Sequence, residues 1–296
     1  LLPDTIRPRF EQVRGSLTNR QAIEQALTGV NGIVHAAAKV SVSGDWRDYE
    51  RVNIEGTKSL LDAAVEHAIP KFLYISSPSV AHAGAALVGA GNGDASPEHA
   101  RGNYARSKAV AEKAVLQMNG TALSTGEHLC TGALRPHLIW GPGDTQLVER
   151  ILERARAGRL PLLSGGTGLI DTLYIDNAAA VVHGYERLEA LAGRAVVVTN
   201  GQPRTVAELM SGFCTAVGVP APRFSVPAPV AVVAGCLIEK VWVLLPHSVT
   251  AGDEPPMTGF LAEQLSTAHW FDQRNTRELL GWEPAVSIEE GYERLR

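Results

Sequence analysis

The sequence contains little cysteine and no cluster of basic residues. Cys130, Cys214 and Cys236 are the only cysteines in 296 residues, and they show neither the spacing of a metal site nor the even number of a disulfide scaffold. The formal net charge is -4 without a run of lysine or arginine, which argues against a nucleic-acid partner. These absences predict a protein of the reducing cytoplasm whose partners are small molecules.

The sequence also lacks a hydrophobic run long enough for a secretory signal or a membrane span. Its most apolar stretch, Val230 to Leu245, is interrupted by Glu239 and Lys240 and falls short of the roughly 20 residues that a span requires. We interpret this stretch as a buried helix of a substrate lobe. The alternative is a peripheral helix that rests on a membrane surface or lines a pocket for an apolar substrate.

Short apolar runs alternate with helical patterns through the first two-thirds of the chain, and the overall composition is that of a globular protein. This order predicts an α/β fold with a doubly wound parallel sheet, whose strands are apolar because both faces are buried. The predicted strands are 10–14, 32–36, 72–76, 132–135 and 195–199. The predicted helices are 20–27, 49–67, 104–118, 206–217 and 287–295. After residue 143 the pattern loosens, which indicates a smaller C-terminal lobe.

The most informative pair of residues is Tyr104 and Lys108, which stand four apart at the start of a predicted helix and therefore share one face. A nearby ammonium stabilises a phenolate and lowers the pKa of the phenol, so Tyr104 could exchange a proton with a substrate hydroxyl or carbonyl. Alone, this spacing also occurs by chance on many helices.

A second candidate group lies upstream, where an apolar strand ends in Ser76, Ser77 and Ser79. Doubly wound sheets bind ligands beyond the carboxyl ends of their strands. A serine there could donate a hydrogen bond to the substrate oxygen. The plain alternative is a strand-end turn formed by serine and proline.

Two serines after a strand, followed about 30 residues later by Tyr-x-x-x-Lys, resemble the extended short-chain dehydrogenase/reductase family. Other segments match that family in order: Ile33 to Ala38, Val52 to Leu61, Leu134 to Gly143, Tyr174 to Ala179 and Phe271 to Pro284. Trp140 stands where the family usually has tyrosine. Within the family, the apolar stretch 230–245 followed by 255–258 most resembles the 3β-hydroxysteroid dehydrogenase branch.

The resemblance implies a Rossmann-type fold, NAD or NADP as the cofactor, and specific site residues. It assigns catalytic roles to Ser77, Tyr104, Lys108 and Asn53. It assigns cofactor contacts to Ser16, Leu17, Ala36, Ala37, Ala38, Ser76, Tyr104, Lys108, Pro136, His137 and Leu138. It also implies that 1–143, joined by 171–200, form the dinucleotide-binding domain, and that 144–170 and 201–296 form the substrate lobe. We assign no metal, because His35, His82 and His137 lack partners at ligand spacing.

Two departures from the family pattern stand out. The usual Gly-x-x-Gly-x-x-Gly turn, whose backbone amides bind the pyrophosphate, is absent, and we expect it to lie upstream of residue 1 in a longer gene product. The alternative is a chain that lacks the turn and binds the cofactor weakly. Ser16 replaces the usual acidic residue. The residue that separates NAD from NADP would precede residue 1, so the sequence does not distinguish them.

Three functions remain open from the sequence. The leading hypothesis is an oxidoreductase that interconverts a hydroxyl and a ketone on a hydrophobic substrate, sterol-like or of the 3-oxoacyl type. The second is a nucleotide-sugar epimerase or dehydratase, which would use the same serine, tyrosine and lysine. The third is a non-catalytic dinucleotide-binding protein. A homodimer and a peripheral membrane contact through 230–245 are further expectations.

Overall fold

The computed structural model describes residues 9–40, 44–81, 86–244 and 258–296. Its helices are α1 (Arg20–Leu27), α2 (Trp46–Tyr49), α3 (Gly56–Glu66), α4 (Gly102–Gln117), α5 (Val148–Arg156), α6 (Ala180–Glu186), α7 (Val206–Ala216), α8 (Ala228–Leu244), α9 (Gly259–Gln264), α10 (Arg274–Leu280) and α11 (Ile288–Arg294). Its strands are β1 (Ile33–His35), β2 (Lys71–Ile75), β3 (Leu87–Ala90), β4 (Cys130–Pro136), β5 (Ile139–Trp140), β6 (Leu162–Leu163), β7 (Leu169–Ile170), β8 (Leu173–Tyr174), β9 (Ala195–Val198), β10 (Arg204–Thr205), β11 (Ser225–Val226) and β12 (His269–Phe271).

The principal sheet is parallel, with the strand order β1-β2-β4-β9. The register aligns His35 with Tyr74 and Ile75 with Leu134, so that the carboxyl ends of the strands meet at one edge. Helices connect the strands and cover the sheet, and the strands are apolar because they lie between these layers. The α/β class and the parallel sheet predicted from the sequence are confirmed.

One predicted strand is wrong. Residues 10–14 form no strand, and the Phe10 side chain is 52% exposed. A β-strand is stable only when its amide and carbonyl groups pair with a neighbouring strand. Among the described residues β1 is an edge strand, and 10–14 do not pair with it. The other four strands of the prediction form within two residues of the expected bounds.

The helices that carry site residues also follow the predicted pattern. The catalytic candidate helix α4 begins at Gly102, two residues before the expected start. The predicted helix 49–67 is divided, because a wide π-helical turn at Glu50–Glu55 separates α2 from α3. Such turns occur often at functional sites, and this one contains Asn53.

A second hydrophobic cluster lies in the C-terminal half. Trp140 is fully buried at its centre, packs edge-on against Phe213 and Tyr174, and donates its indole N–H to Thr172 Oγ1 at 2.9 Å. The replacement of tyrosine by tryptophan at this position therefore serves packing. The exact domain boundaries predicted from the sequence stay a prediction.

Helix α8 corrects the interpretation of the apolar stretch as a buried helix. Its residues are helical, but Val230, Val233, Leu237 and Val241 form a stripe that is 55–61% exposed. We call this set the α8 stripe. The opposite side of α8 lies against the start of α9. The two backbones are so close that a Cβ at Gly235 would lie 2.6 Å from the carbonyl carbon of Thr258. No helix in the described part of the chain is long and apolar enough to cross a membrane. Residues 255–257, in the segment that resembles the hydroxysteroid branch, lie outside the described ranges, as does His82.

Candidate active site

Three neighbouring strands of the sheet end at its carboxyl edge, two of them followed by small or hydroxyl side chains and one by a strained backbone. Ala36 and Ala37 follow β1 and are exposed, Ser76 and Ser77 follow β2, and Leu138 follows β4. Leu138 has a φ of 45°, in the left-handed region where a branched side chain is strained. Backbone strain of this kind is concentrated at ligand sites. This edge therefore has the features expected of a ligand site in a parallel sheet.

Tyr104 lies in the first turn of α4 and reaches toward the end of β2. Its hydroxyl lies near that of Ser77 and interacts with it. Ser77 Oγ is also held by Ser79, whose hydroxyl lies 2.9 Å away and whose backbone N–H donates to it at 3.3 Å. Burial raises the pKa of Tyr104, and the nearby Ser77 hydroxyl acts in the opposite direction. In this structure the pKa of Tyr104 is above its ordinary value, whereas the sequence argument expected the Lys108 ammonium to lower it.

Lys108 is buried one helical turn further along α4. Its Nζ donates to the carbonyl of Ile75 at 2.6 Å and lies 4.1 Å from the centre of the Tyr74 ring. Burial lowers the pKa of Lys108 to about 7, while the charge of Glu112 opposes the shift. The carbonyl and the ring thus hold the ammonium beneath the end of β2, next to the serines. Ser77, Tyr104 and Lys108 therefore meet at the same strand end.

Asn53 lies behind this group and is almost fully buried. Its Oδ1 accepts from the Lys39 backbone N–H at 2.7 Å, and its Nδ2 donates to the Lys39 carbonyl at 3.1 Å. The other N–H of the same Nδ2 atom donates to Ser107 Oγ at 2.9 Å. Asn53 thus touches the segment that follows β1 and the helix that carries Tyr104.

The expected cofactor residues fit a dinucleotide in several respects. Ser76 Oγ is buried and has no hydrogen-bond partner among the described residues, so it is available to a bound group. Ser16 is exposed, and its hydroxyl lies 2.9 Å from that of Thr18. Leu17 packs so closely on Gly56 that a Cβ there would lie 2.8 Å away. The exposed Ala36 and Ala37, half-buried Ala38 and half-buried Pro136 leave backbone accessible at the strand ends.

His137 is placed differently from the other expected cofactor residues. Its ring packs edge-on against Phe271, with centroids 5.3 Å apart, and also lies near His269. Its side chain therefore contacts β12, and its backbone N–H donates to Val198. Among the described residues, no group of three or more histidine, cysteine, aspartate or glutamate side chains is arranged to hold a metal ion.

The sequence analysis missed a buried group beneath Lys108. His35 Nε2 lies 2.9 Å from Thr57 Oγ1, and the Thr57 hydroxyl donates to the carbonyl of Asn53 at 2.6 Å. His35 also packs against Tyr74 at 5.4 Å between ring centroids. Burial lowers the pKa of His35 to about 4, and the charge of Lys108 acts in the same direction. The ring is therefore neutral near pH 7. The motif containing His35 was visible in the sequence, but its contact with Thr57 was not.

A buried ion pair also escaped the sequence analysis. Arg135, in β4, donates Nη2 to Glu112 Oε1 at 2.5 Å and Nε to Oε2 at 2.9 Å, and both side chains are at most 1% exposed. Arg135 Nη1 donates to the backbone carbonyls of Asn92 and Gly93. The pair therefore fastens α4 to β4 and holds the 91–93 loop. In the sequence, the only sign of this ion pair is a single arginine, Arg135, within an apolar predicted strand.

Comparison with known proteins agrees with this geometry. The model of the 3-beta hydroxysteroid dehydrogenase/isomerase family matches residues 6–227. A 2-alkyl-3-oxoalkanoate reductase from Stenotrophomonas maltophilia is 41% identical over 291 residues, covering 96% of this chain and 85% of the relative. A 3beta-hydroxysteroid-dehydrogenase/decarboxylase from Arabidopsis thaliana is 30% identical, covering 99% of this chain and 68% of the relative.

The fold has counterparts among solved structures. A dTDP-glucose 4,6-dehydratase from Bacillus anthracis, solved in complex with NAD, superimposes with a TM-score of 0.66 at 18% identity, covering 98% of this chain and 80% of that one. This likeness shows the fold alone. The family match and the sequence relatives show that the chain belongs to the 3-beta hydroxysteroid dehydrogenase/isomerase family, within the extended short-chain dehydrogenases/reductases.

Proposed function

We propose that this chain is an NAD- or NADP-dependent oxidoreductase that interconverts a hydroxyl and a ketone on a hydrophobic substrate. The observation that carries the proposal is the contact of the Tyr104 hydroxyl with Ser77 at the carboxyl edge of the sheet, with Lys108 buried at the same strand end. An acid/base group, a hydrogen-bond donor and a cation are the groups that proton exchange at a carbonyl requires.

Each residue has a distinct part in the proposed reaction. Tyr104 takes or gives the proton of the substrate hydroxyl, and Ser77 donates a hydrogen bond to the same oxygen. Lys108 would hold the nicotinamide ribose, and its positive charge would stabilise the phenolate and offset the effect of burial on the pKa of Tyr104. The bound nicotinamide supplies or accepts the hydride. Asn53 holds the backbone of Lys39, and Ser76 would donate a hydrogen bond to the cofactor.

The substrate class rests on two observations. The relative from Stenotrophomonas maltophilia is named as a reductase of 2-alkyl-3-oxoalkanoates, which are 3-oxo acids with an alkyl branch. The relative from Arabidopsis thaliana is named for 3β-hydroxysteroids. Exposed apolar side chains, Leu138, Ile139 and Ile175, lie around the end of β4 and along the β5–β8 pair. These support an apolar, 3-oxoacyl or sterol-like substrate. A nucleotide sugar is the competing substrate, and higher turnover of the sugar than of a long-chain 3-oxo compound would contradict the assignment.

The α8 stripe supports a peripheral contact as part of this function. Four large apolar side chains on one helical face form an exposed patch of the kind that can mark a membrane or protein contact, and a hydrophobic substrate partitions into membranes. We place the protein in the cytoplasm, with the stripe resting on a lipid surface. Co-sedimentation with phosphatidylglycerol vesicles should fall when Leu237 is replaced by Glu. Equal sedimentation of both forms would contradict the contact. The homodimer stays a prediction.

The proposed chemistry is tested by Tyr104→Phe, which keeps the ring and removes the ionisable oxygen. Turnover should fall by roughly 100- to 10,000-fold, the usual effect of losing an acid/base group, while the dissociation constant of the cofactor changes little. Tyr185→Phe is the matched control, since Tyr185 contacts Lys71 at the amino end of β2, opposite the carboxyl edge that carries Ser77. Lys108→Met should reduce both turnover and cofactor binding. Near-normal turnover of Tyr104→Phe would show that the mechanism is wrong.

A further inference from the structure

Ser107 stands between the two catalytic candidates on α4, yet neither the family motif nor the proposed mechanism gives it a role. Its side chain is fully buried. We propose that Ser107 is a positioning residue, which holds the segment after β1 at a fixed distance from Tyr104 and Lys108. The proposal rests on the proposed function and adds a residue that acts through Asn53 and the backbone.

The hydroxyl of Ser107 forms hydrogen bonds in two directions. It donates to the carbonyl of Tyr104 at 2.8 Å, which is a common local bond for a serine inside a helix. It also accepts from Asn53 Nδ2 at 2.9 Å, although Asn53 is 54 residues away in sequence. The first bond fixes the rotation of the hydroxyl, and the second connects α4 to the wide turn at 50–55.

Asn53 continues the connection to the segment after β1. Its amide bonds both the N–H and the carbonyl of Lys39, so its oxygen and both of its N–H groups are in use. The wide turn places this side chain in the interior, where it is 1% exposed. A side chain with every polar group paired inside a protein has one arrangement, because each alternative leaves a buried group unpaired.

This chain of bonds reaches the place where the cofactor is expected. Ala36, Ala37 and Ala38 lie directly before Lys39, and their small side chains leave the backbone accessible. If Ser107 loses its hydroxyl, one N–H of Asn53 is buried without an acceptor, and Asn53 must move to find another. Its two bonds to Lys39 then shift as well. The segment that approaches the cofactor thereby changes its position relative to Tyr104, although no group that touches the reacting atoms has been altered.

A residue of β4 that bonds the same helix offers a matched control. Thr131 is also fully buried, and its hydroxyl donates to the carbonyl of Val115 at 2.8 Å, near the far end of α4. Thr131→Val removes a buried hydroxyl that is bonded to a carbonyl of the same helix, as Ser107→Ala does. It leaves the bonds of Asn53 and Lys39 intact. A general loss of helix stability would affect both variants alike.

The first test is hydrogen exchange of the free protein, which requires no turnover. In Ser107→Ala, the Lys39 amide should exchange roughly 5- to 10-fold faster, the effect of weakening one hydrogen bond. Thr131→Val should leave that amide at the wild-type rate. Unchanged exchange at Lys39 in Ser107→Ala would overturn the proposal, whatever the activity of the wild type.

The second test separates cofactor binding from chemistry. Ser107→Ala should lower kcat/KM for the dinucleotide roughly 10- to 100-fold, the scale of a misplacement of about 1 Å, with most of the change in KM. The dissociation constant of NAD or NADP, measured by calorimetry, should rise in parallel. Asn53→Ala combined with Ser107→Ala should cost little more than Asn53→Ala alone, because both interrupt one connection.

The outcomes distinguish the inference from the function on which it rests. A full-length wild-type protein that binds neither NAD nor NADP would contradict the proposed function. A wild type that binds and turns over normally, with a Ser107→Ala variant whose KM matches that of Thr131→Val, would overturn the inference alone. Additive losses in the double variant would likewise overturn it.

Discussion

The buried pair of Glu112 and Arg135 allows a quantitative test of how α4 is held on the sheet. Glu112→Gln keeps the shape of the side chain and removes its charge, so the Arg135 guanidinium is left buried without a counter-charge. Removing one partner of a buried ion pair costs roughly 3–5 kcal/mol. At about 2–4 °C per kcal/mol for a chain of this size, the Tm should fall by roughly 6–20 °C.

The control for this prediction is Glu149→Gln, which breaks an ion pair of similar length. Glu149 Oε1 lies 2.9 Å from Arg156 Nη1, but both side chains are about half exposed. Water screens such a pair, so its loss should cost at most about 1 kcal/mol. Thermal unfolding followed by circular dichroism measures both variants. Equal Tm values for Glu112→Gln and Glu149→Gln would refute the reasoning that the Glu112–Arg135 pair contributes more to stability because it is buried.

Two further predictions concern pH and helix capping. Burial lowers the pKa of His35 to about 4 from 6.5. As the pH falls, the His35 ring is therefore protonated in the unfolded chain before it is protonated in the folded protein. The stability that the neutral ring contributes is complete above pH 6.5 and is lost toward pH 4. Urea unfolding should show a loss of about 2 kcal/mol between pH 7 and pH 5 that His35→Asn abolishes. Thr205 caps α7 reciprocally with Glu208, so Thr205→Ala should lower the free energy of unfolding by about 1 kcal/mol, and an unchanged urea midpoint would contradict this.

Elements with a strong local pattern could be predicted from the sequence. The helix that carries Tyr104 and Lys108 begins within two residues of the expected position, and strands β2 and β4 coincide with apolar runs. Their periodicity reflects burial, which is the same property that forms them. The location of Ser77 at the carboxyl edge also followed from the rule that ligands bind beyond the ends of parallel strands, whereas its nearness to Tyr104 was implied by the family resemblance.

Features that depend on a distant partner could not be predicted. Residues 10–14 have the composition of a strand, but no neighbouring strand pairs with them in the described ranges. The apolar residues of α8 predicted burial, yet the α8 stripe is exposed because composition does not say which face meets α9. The bond from Asn53 to Ser107 spans 54 residues and rests on a wide turn that has no sequence signature.

The small core between α8 and α9 has a consequence for motion. Three described side chains are fully buried in it, Leu163, Ala231 and Ala262, whereas the cluster on the principal sheet contains fifteen. Two of the three are alanines, so these described side chains bury little apolar area between the two helices. Arg101, at the start of α4, forms an ion pair with Glu263 on α9 that is half exposed and contributes little. We therefore expect the helix pair to open locally at a lower free energy than global unfolding requires. A substrate that enters past these helices would then meet a low barrier. The backbone amides of α8 and α9 would exchange with solvent faster than those of the principal sheet.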